Sequence, residues 1–229
     1  NSEFELNLEV LNEPEKINID YIHNSKNLGY GSGHNLAIKK SMESNNIKYH
    51  LVLNADVFFE ENIIDRCYEF MQQNKNVGNV VPNVISPKNE YQYPGKLIPS
   101  PIDLIIRFFI PRFLSKKHER KYALVDYHQD NKNFFAPFLT GCFMFLRIST
   151  LREVGIFDER FFIYPEDIDL SRRIANNCDQ IVLNSHNIIH QHGRAYDKSF
   201  SIFIVMLKNM VKYFNKWGWF NDKIRSELN

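Results

Sequence analysis

Apolar residues in this chain come in short blocks, some alternating and some at helical spacing, with Gly, Asn and Pro between the blocks. Ile17, Ile19 and Tyr21 alternate and Ile22 adds apolar bulk, which predicts a short strand over residues 18–23. A loop from Asn24 to Gly33 leads into Leu36, Ala37 and Lys40, whose spacing predicts a helix over residues 34–42. Residues 49–53 form an apolar strand that stops at Asn54-Ala55-Asp56. Ile63, Ile64, Cys67, Tyr68 and Met71 mark an amphipathic helix over residues 62–73, and a further strand runs over 77–84. Strand and helix alternate throughout this half, the pattern of an α/β sheet.

Residues 91–127 break the rhythm. They hold Pro94, Pro99, Pro101 and Pro111, two apolar patches (Leu104-Ile105-Ile106 and Phe108-Phe109-Ile110), and the basic cluster Lys116-Lys117-His118-Glu119-Arg120-Lys121. The stretch reads as an insertion carrying a short amphipathic helix. The sheet resumes over 139–147, a helix follows over 149–153, and late strands are predicted over 181–184 and 188–190. Residues 200–214 are helical and rich in Phe, Met and Tyr, ending in Trp217-Gly218-Trp219. The expected organisation is one domain over 1–199, interrupted at 91–127, and a helical extension over 200–229.

With 229 residues the chain can bury a substantial core in one large domain. Its 28 Lys and Arg nearly balance 27 Asp and Glu, leaving +1, so charge makes no case for a nucleic-acid partner. Cys67, Cys142 and Cys178 lie far apart without Cys-x-x-Cys spacing, which argues against a disulfide framework or zinc site and fits a reducing, cytoplasmic compartment. No apolar run reaches the roughly 18 residues of a membrane span, and no signal-peptide pattern is present. Aromatic residues reach 14%, enough for stacking or membrane-side surfaces as well as for a Phe-heavy core.

Three segments carry candidate chemistry. Glu166 and Asp167 stand next to each other just after Pro165, a residue suited to the first turn of a helix. The helix dipole favours ionised carboxylates there, while the preceding Phe161-Phe162-Ile163-Tyr164 can desolvate an acid and tune it for proton abstraction. Asp169 is expected to pair with Arg172 or Arg173 along the same helix. Asp56 sits where a buried strand gives out, the place where open α/β sheets bind ligands; an ordinary Asx turn is the competing account. Ile188-Ile189-His190 is an apolar strand ending in histidine, with His192 and Gly193 beyond it. Together these make a divalent-metal site. The loop Gly29-Tyr30-Gly31-Ser32-Gly33 lacks dinucleotide-binding spacing, but its glycines permit close backbone approach at a helix start, where anions are favoured.

Taken in order, these segments resemble the family 2 glycosyltransferases, inverting nucleotide-sugar enzymes of the GT-A fold, and within them the bacterial rhamnosyltransferase-like branch that builds cell-surface polysaccharide. The matching stretches are Asn27-Leu28-Gly29-Tyr30-Gly31-Ser32-Gly33-His34-Asn35, Leu53-Asn54-Ala55-Asp56, Thr140-Gly141-Cys142-Phe143-Met144, Val154 to Phe162, Glu166-Asp167-Ile168-Asp169-Leu170 and His190-Gln191-His192-Gly193. The resemblance implies an α/β fold, a GT-A type nucleotide-sugar-binding mixed sheet flanked by helices. It implies transfer of a hexosyl or deoxyhexosyl group from a nucleotide-sugar donor to a hydroxyl of a saccharide or lipid-linked acceptor. Residue by residue, Asn54-Ala55-Asp56 matches the family's Asp-x-Asp motif, so Asp56 would hold Mg²⁺ or Mn²⁺ on the donor diphosphate; Asn54 in the first position leaves a metal contact there open. Asp167 matches the catalytic base, with Glu166 in support, and His190 a histidine that completes the metal site. Gly141 falls on the loop facing donor sugar and acceptor, and Asn27, Gly29 and Asn35 fall on the donor side.

Members of that family open with a βαβ unit that binds the nucleotide base, and none is legible here. The expectation is a front segment of about 35–45 residues preceding this sequence. A non-catalytic nucleotide-sugar or carbohydrate-binding module and a nucleotidyltransferase are the competing function classes. The latter calls for a Gly-rich phosphate loop with basic residues near the chain start, which the sequence does not have. Residues 101–113 and 200–220 combine apolar side chains with Arg107, Arg112, Lys116, Lys117, Lys208, Lys212 and Lys216. Such stretches suit peripheral contact with the inner face of the plasma membrane, or packing on the domain itself, or pairing with a second copy of the chain.

Overall fold

A computed structural model describes residues 18–191 and 200–229; Ile17, His192 and Gly193 lie outside the described residues. In chain order the elements are α1 (Tyr30–Glu43), β1 (Tyr49–Leu53), β2 (Val57–Phe58), α2 (Ile63–Gln73), β3 (Val77–Ile85) and β4 (Gly95–Lys96). Three helices follow, α3 (Pro101–Phe109), α4 (Arg112–Tyr122) and α5 (Val125–Gln129), then β5 (Phe134–Phe135), β6 (Phe138–Leu139) and β7 (Phe143–Arg147). The remainder is α6 (Ile148–Val154), α7 (Glu166–Ala175), β8 (Asp179–His190), α8 (Phe200–Trp217) and α9 (Lys223–Leu228).

The expected mixed sheet flanked by helices is present. Its order is β1-β7-β3-β8-β2, with β5 also paired to β8, and β3 with β8 is its parallel pair. Strand β7 shows why the sheet holds. Phe143 and Phe145 point to one face, where α2 packs through Ile63, Cys67 and Met71. Met144 and Leu146 point to the other, against Ile38 of α1 and Leu170 and Ile174 of α7. A strand buried on both faces reads as an unbroken apolar run, and this one does.

Three expectations change. Residues 18–23 form no strand; Ile19, Tyr21 and Ile22 are exposed and no described strand lies alongside to complete a ladder. The two late strands are halves of one, β8. Its register with β3 slips where Pro82 faces Leu183 and Asn83 faces Asn187. Pro82 has no amide to donate, so the ladder breaks at that point. Where one short helix is expected in residues 91–127, three occur. Ser100 opens α3 with a capping box, its side chain accepting from the Asp103 amide while the Asp103 carboxylate accepts from the Ser100 amide.

Helix α8 lays Met206, Met210, Tyr213 and Phe214 against Ile98 and Phe161. The following turn places Asp222 on Arg172 of α7, a bidentate pair with both side chains almost fully buried and Trp217 stacked 4.2 Å from the guanidinium carbon. Asp222→Ala strands that buried charge and should cost about 3–5 kcal/mol in urea unfolding. The double change Arg172→Met with Asp222→Leu should cost much less. Equal losses in the two variants would contradict the pairing.

Candidate active site

Site residues gather where β1 and β8 end and where β7 and α7 begin. Beyond the last β1–β7 pair, the Asn54 amide donates to the Cys142 carbonyl at 2.9 Å, extending the strand pairing into the Thr140–Cys142 turn. The Gly141 amide in that turn donates to Asp167 Oδ2 (3.1 Å), and the Gly141 carbonyl accepts from the Tyr30 hydroxyl (2.6 Å). The same hydroxyl lies 3.0 Å from Asn54 Oδ1, and Asn54 Nδ2 lies 3.4 Å from His190 Nε2. His190 Nε2 is 3.3 Å from Asp56 Oδ1. Asp167, Gly141, Tyr30, Asn54, His190 and Asp56 therefore form one connected polar chain. A Cβ at 141 would sit 3.2 Å from the Asp167 Cβ, closer than ordinary contact, so Asp167 would have to shift.

The acid pair sits at the start of α7, directly after Pro165. Dipole and burial act in opposite directions here, and burial wins. It pushes Asp167 upward, opposed by the Gly141 and Ile168 amides and by the charge of Lys96. Glu166 is also pushed up, to about 8, by burial and then by the charge of Asp167. Two adjacent carboxyls in this setting hold one negative charge between them. Asp167 has the amide donors and the nearby cation, so it carries that charge. Glu166 stays neutral, only 4% exposed, with Oε2 lacking a hydrogen-bond partner. Asp169 is structural as expected, bound by Arg173, and also by Lys216 and Trp217. Arg172 belongs to Asp222 instead.

The tautomer of His190 follows from Gln92. The Gln92 amide nitrogen donates to the His190 carbonyl (2.8 Å), so its oxygen faces His190 Nδ1 at 3.1 Å. Nδ1 must then carry the proton. Burial lowers the His190 pKa against the pull of Asp56, which keeps the ring neutral with its Nε2 lone pair toward Asp56. Two acceptors 3.3 Å apart, one of them 44% exposed to solvent, are a place a divalent cation satisfies. An imidazole with its outer nitrogen hydrogen-bonded and one carboxylate fit Mg²⁺ or Mn²⁺, whose other positions phosphate and water fill. Among the described residues no third His, Cys, Asp or Glu joins them.

The remaining predicted residues lie behind this chain. The Gly29 amide donates to Asn27 Oδ1, and the Tyr30 amide donates to the Phe162 carbonyl. Gly29 has φ of 86°, and a Cβ there would meet the Phe162 oxygen at 2.2 Å. Helix α1 starts at Tyr30, earlier than expected, and Gly31 lies within it because a Cβ would come 2.8 Å from the Phe157 Cβ. These two glycines serve close packing of α1 on the acid-bearing segment. Asn35 is fully buried, its amide bonded to both backbone groups of Phe157 and to Glu159. Sequence reasoning missed Tyr30, Gln92 and Lys96. Only the position of Tyr30 between two motif glycines offered a signal.

Comparison with known proteins bears on the family and the fold. A family model described as "Glycosyl transferase family 2" matches residues 6–155, which include Asn54, Asp56 and Gly141 and stop short of Glu166, Asp167 and His190. The chain is 27% identical over 157 residues to the Low-salt glycan biosynthesis hexosyltransferase Agl10 of Haloferax volcanii, covering 68% of this chain and 46% of that protein. It is 24% identical over 209 residues to an N-acetylglucosaminyl-diphospho-decaprenol L-rhamnosyltransferase of Mycobacterium tuberculosis, covering 82% of this chain and 67% of that protein. Thus it spans about half the length of the first relative and two thirds of the second. A crystal structure of GalNAc-T7 with UDP, GalNAc and Mn²⁺ shares the fold, with TM-score 0.50 and 14% identity over 73% of this chain and 31% of that one.

The state of Glu166 is measurable through stability. Its folded carboxyl titrates near 8, against an ordinary value of 4.5, so between those pH values the folded protein holds a proton that the unfolded chain has released. The stability contributed by this neutral group is full below about 4.5 and is lost as pH rises toward 8. Glu166→Gln preserves the neutral shape and should gain stability relative to the parent across that window in denaturant titrations. A constant difference between the two proteins would contradict a raised Glu166 pKa.

Proposed function

The chain belongs to glycosyl transferase family 2, and on that footing we propose that it transfers a sugar from a nucleotide-sugar donor to a hydroxyl of a saccharide or lipid-linked acceptor, with inversion at the anomeric carbon. The observation that carries this reading is the continuous polar chain from Asp167 through Gly141, Tyr30 and Asn54 to His190 and Asp56. It joins a proton acceptor to a pair of metal-type ligands, near the strand ends where open α/β sheets bind ligands.

In this mechanism the two ends divide the work. Asp167, raised by burial yet held ionised by two amides, accepts the proton of the acceptor hydroxyl. The acceptor oxygen then bonds to the anomeric carbon as the bond to the donor diphosphate breaks, its electron pair leaving with the phosphate. Asp56 and His190 would hold Mg²⁺ or Mn²⁺, which supplies charge neutralisation for that leaving diphosphate. Gln92 holds His190 in the tautomer that presents Nε2. Glu166, neutral beneath Asp167, adds no second charge to repel the acceptor oxygen as it develops. The names of the relatives point to hexosyl or rhamnosyl transfer onto a lipid-diphosphate acceptor in glycan assembly.

Asp167→Asn should lower turnover at least about 10²-fold while Mn²⁺-dependent nucleoside diphosphate binding is kept, as read by calorimetry and by release of the diphosphate. Near-normal turnover would move the base elsewhere. Asp56→Ala should abolish Mn²⁺-dependent diphosphate binding in a folded protein; unchanged binding would remove Asp56 from the site. Gln92→Ala should weaken Mn²⁺ binding about tenfold, the scale of lost outer-sphere support, with the Asp167-dependent step intact at saturating metal. Full affinity in that variant would show that His190 needs no such orientation.

A further inference from the structure

The corner between α3 and α4 exposes an unusual amount of apolar surface. Phe109 is 76% exposed, Phe113 78% and Leu114 66%, and Ile102, Ile105 and Ile110 extend the patch. Ile102, Ile105 and Phe109 share one face of α3, while Leu104 and Phe108 on the other face pack into the cluster around Met206 and Phe214. Phe108 meets Phe203 edge-to-face at 5.3 Å, and Phe203 in turn lies 6.4 Å from Phe200, which is 78% exposed. The patch thus continues from the α3–α4 corner to the start of α8. Contiguous exposed apolar surface of this kind marks an interaction site.

Charge says what covers it. Residues 101–122 hold six basic residues against two acidic ones, a local excess of four in a chain whose net charge is +1. The exposed Arg107, Lys116 and Lys117 flank the apolar tip. A symmetric pair of copies would bring this patch against itself and set two cationic collars together. An anionic bilayer offers the opposite: hydrocarbon for the Phe and Leu tip and phosphates for the collar. We propose that the α3–α4 corner is a membrane-docking wedge, inserting Phe109, Phe113 and Leu114 into the headgroup region of an anionic phospholipid bilayer. The rest of α8 is not part of the wedge, because Met206, Met210, Tyr213 and Phe214 are buried in the core.

The wedge is tied to the site. It springs from β4, whose Lys96 acts electrostatically on Asp167, and the Leu97 amide donates to the Tyr122 carbonyl to close the base of the α3–α4 unit. Docking would hold the acid end of the site at the bilayer surface, where a lipid-linked acceptor is presented. That consequence rests on the transfer reading above; the docking itself does not.

The test is co-sedimentation of the full chain, without donor or acceptor, with vesicles of phosphatidylcholine alone or with one quarter phosphatidylglycerol, at low and high salt. Binding to the anionic vesicles at low salt should exceed binding to phosphatidylcholine at least about tenfold and fall in high salt. Phe109→Ser with Phe113→Ser should lose at least about tenfold in binding, with melting curves unchanged. Lys116→Glu with Lys117→Glu should lose the salt-sensitive part. No binding by the parent, or equal binding by the Ser variant, would overturn the proposal. So would a parent dimer that the Ser variant dissociates with no vesicle binding in either protein, an outcome that assigns the patch to a second copy. Because no sugar transfer is read, failure here leaves the transfer reading standing, and the reverse holds as well.

Discussion

Gly141 is the constraint on which the site depends. Its amide serves Asp167, its carbonyl accepts from Tyr30, and the next carbonyl accepts from the Asn54 amide. One short turn thereby fixes the start of α7, the start of α1 and the end of β1 relative to one another. A Cβ at 141 would crowd Asp167 and lie in ordinary contact with the Tyr30 ring. The turn itself is anchored by the strand after it, since β7 is buried on both sheet faces and pairs with both β1 and β3. Burial of an apolar strand thus translates into placement of two carboxylates.

The electrostatics follow from that placement. A helix start usually favours ionised acids, but here Glu166 is buried, only 4% exposed. The dipole and two amides suffice for one charge, not two. Asp167 keeps it and Glu166 gives it up, a division of roles that adjacent carboxyls acquire whenever one has the better donors. At the other end, Gln92 settles the His190 ring so that Nε2 faces Asp56 and the Asn54 side-chain amide. Each end is tuned by a neighbour that does no chemistry itself.

Much of this was legible in the sequence where one segment carries its own signal. The strand at 49–53 announced itself by an apolar run halted at Asn54, and α7 by Pro165 and its acids. Helical spacing narrowed the partner of Asp169 to Arg172 or Arg173, and the structure selects Arg173. What was hidden depends on distant partners. Tyr30 reaches Gly141 across 111 positions and Gln92 reaches His190 across 98, and neither lies in a local pattern. Gly31 looks like loop until Phe157 is placed against it. Residues 18–23 alternate like a strand, yet alternation needs a neighbouring ladder to become one, and no described strand supplies it. The slip opposite Pro82 split one strand into two apparent ones.

One polar chain joins the acid end to the Asp56–His190 end, and the proposed transfer requires both to act on one donor. Anomalous diffraction from crystals grown with Mn²⁺ and a non-hydrolysable nucleotide sugar tests it most directly. One strong manganese peak is expected in direct coordination distance of Asp56 and of His190 Nε2, with the anomeric carbon turned toward Asp167. A manganese peak on the diphosphate away from Asp56 and His190, or a sugar pointing away from Asp167, would contradict it.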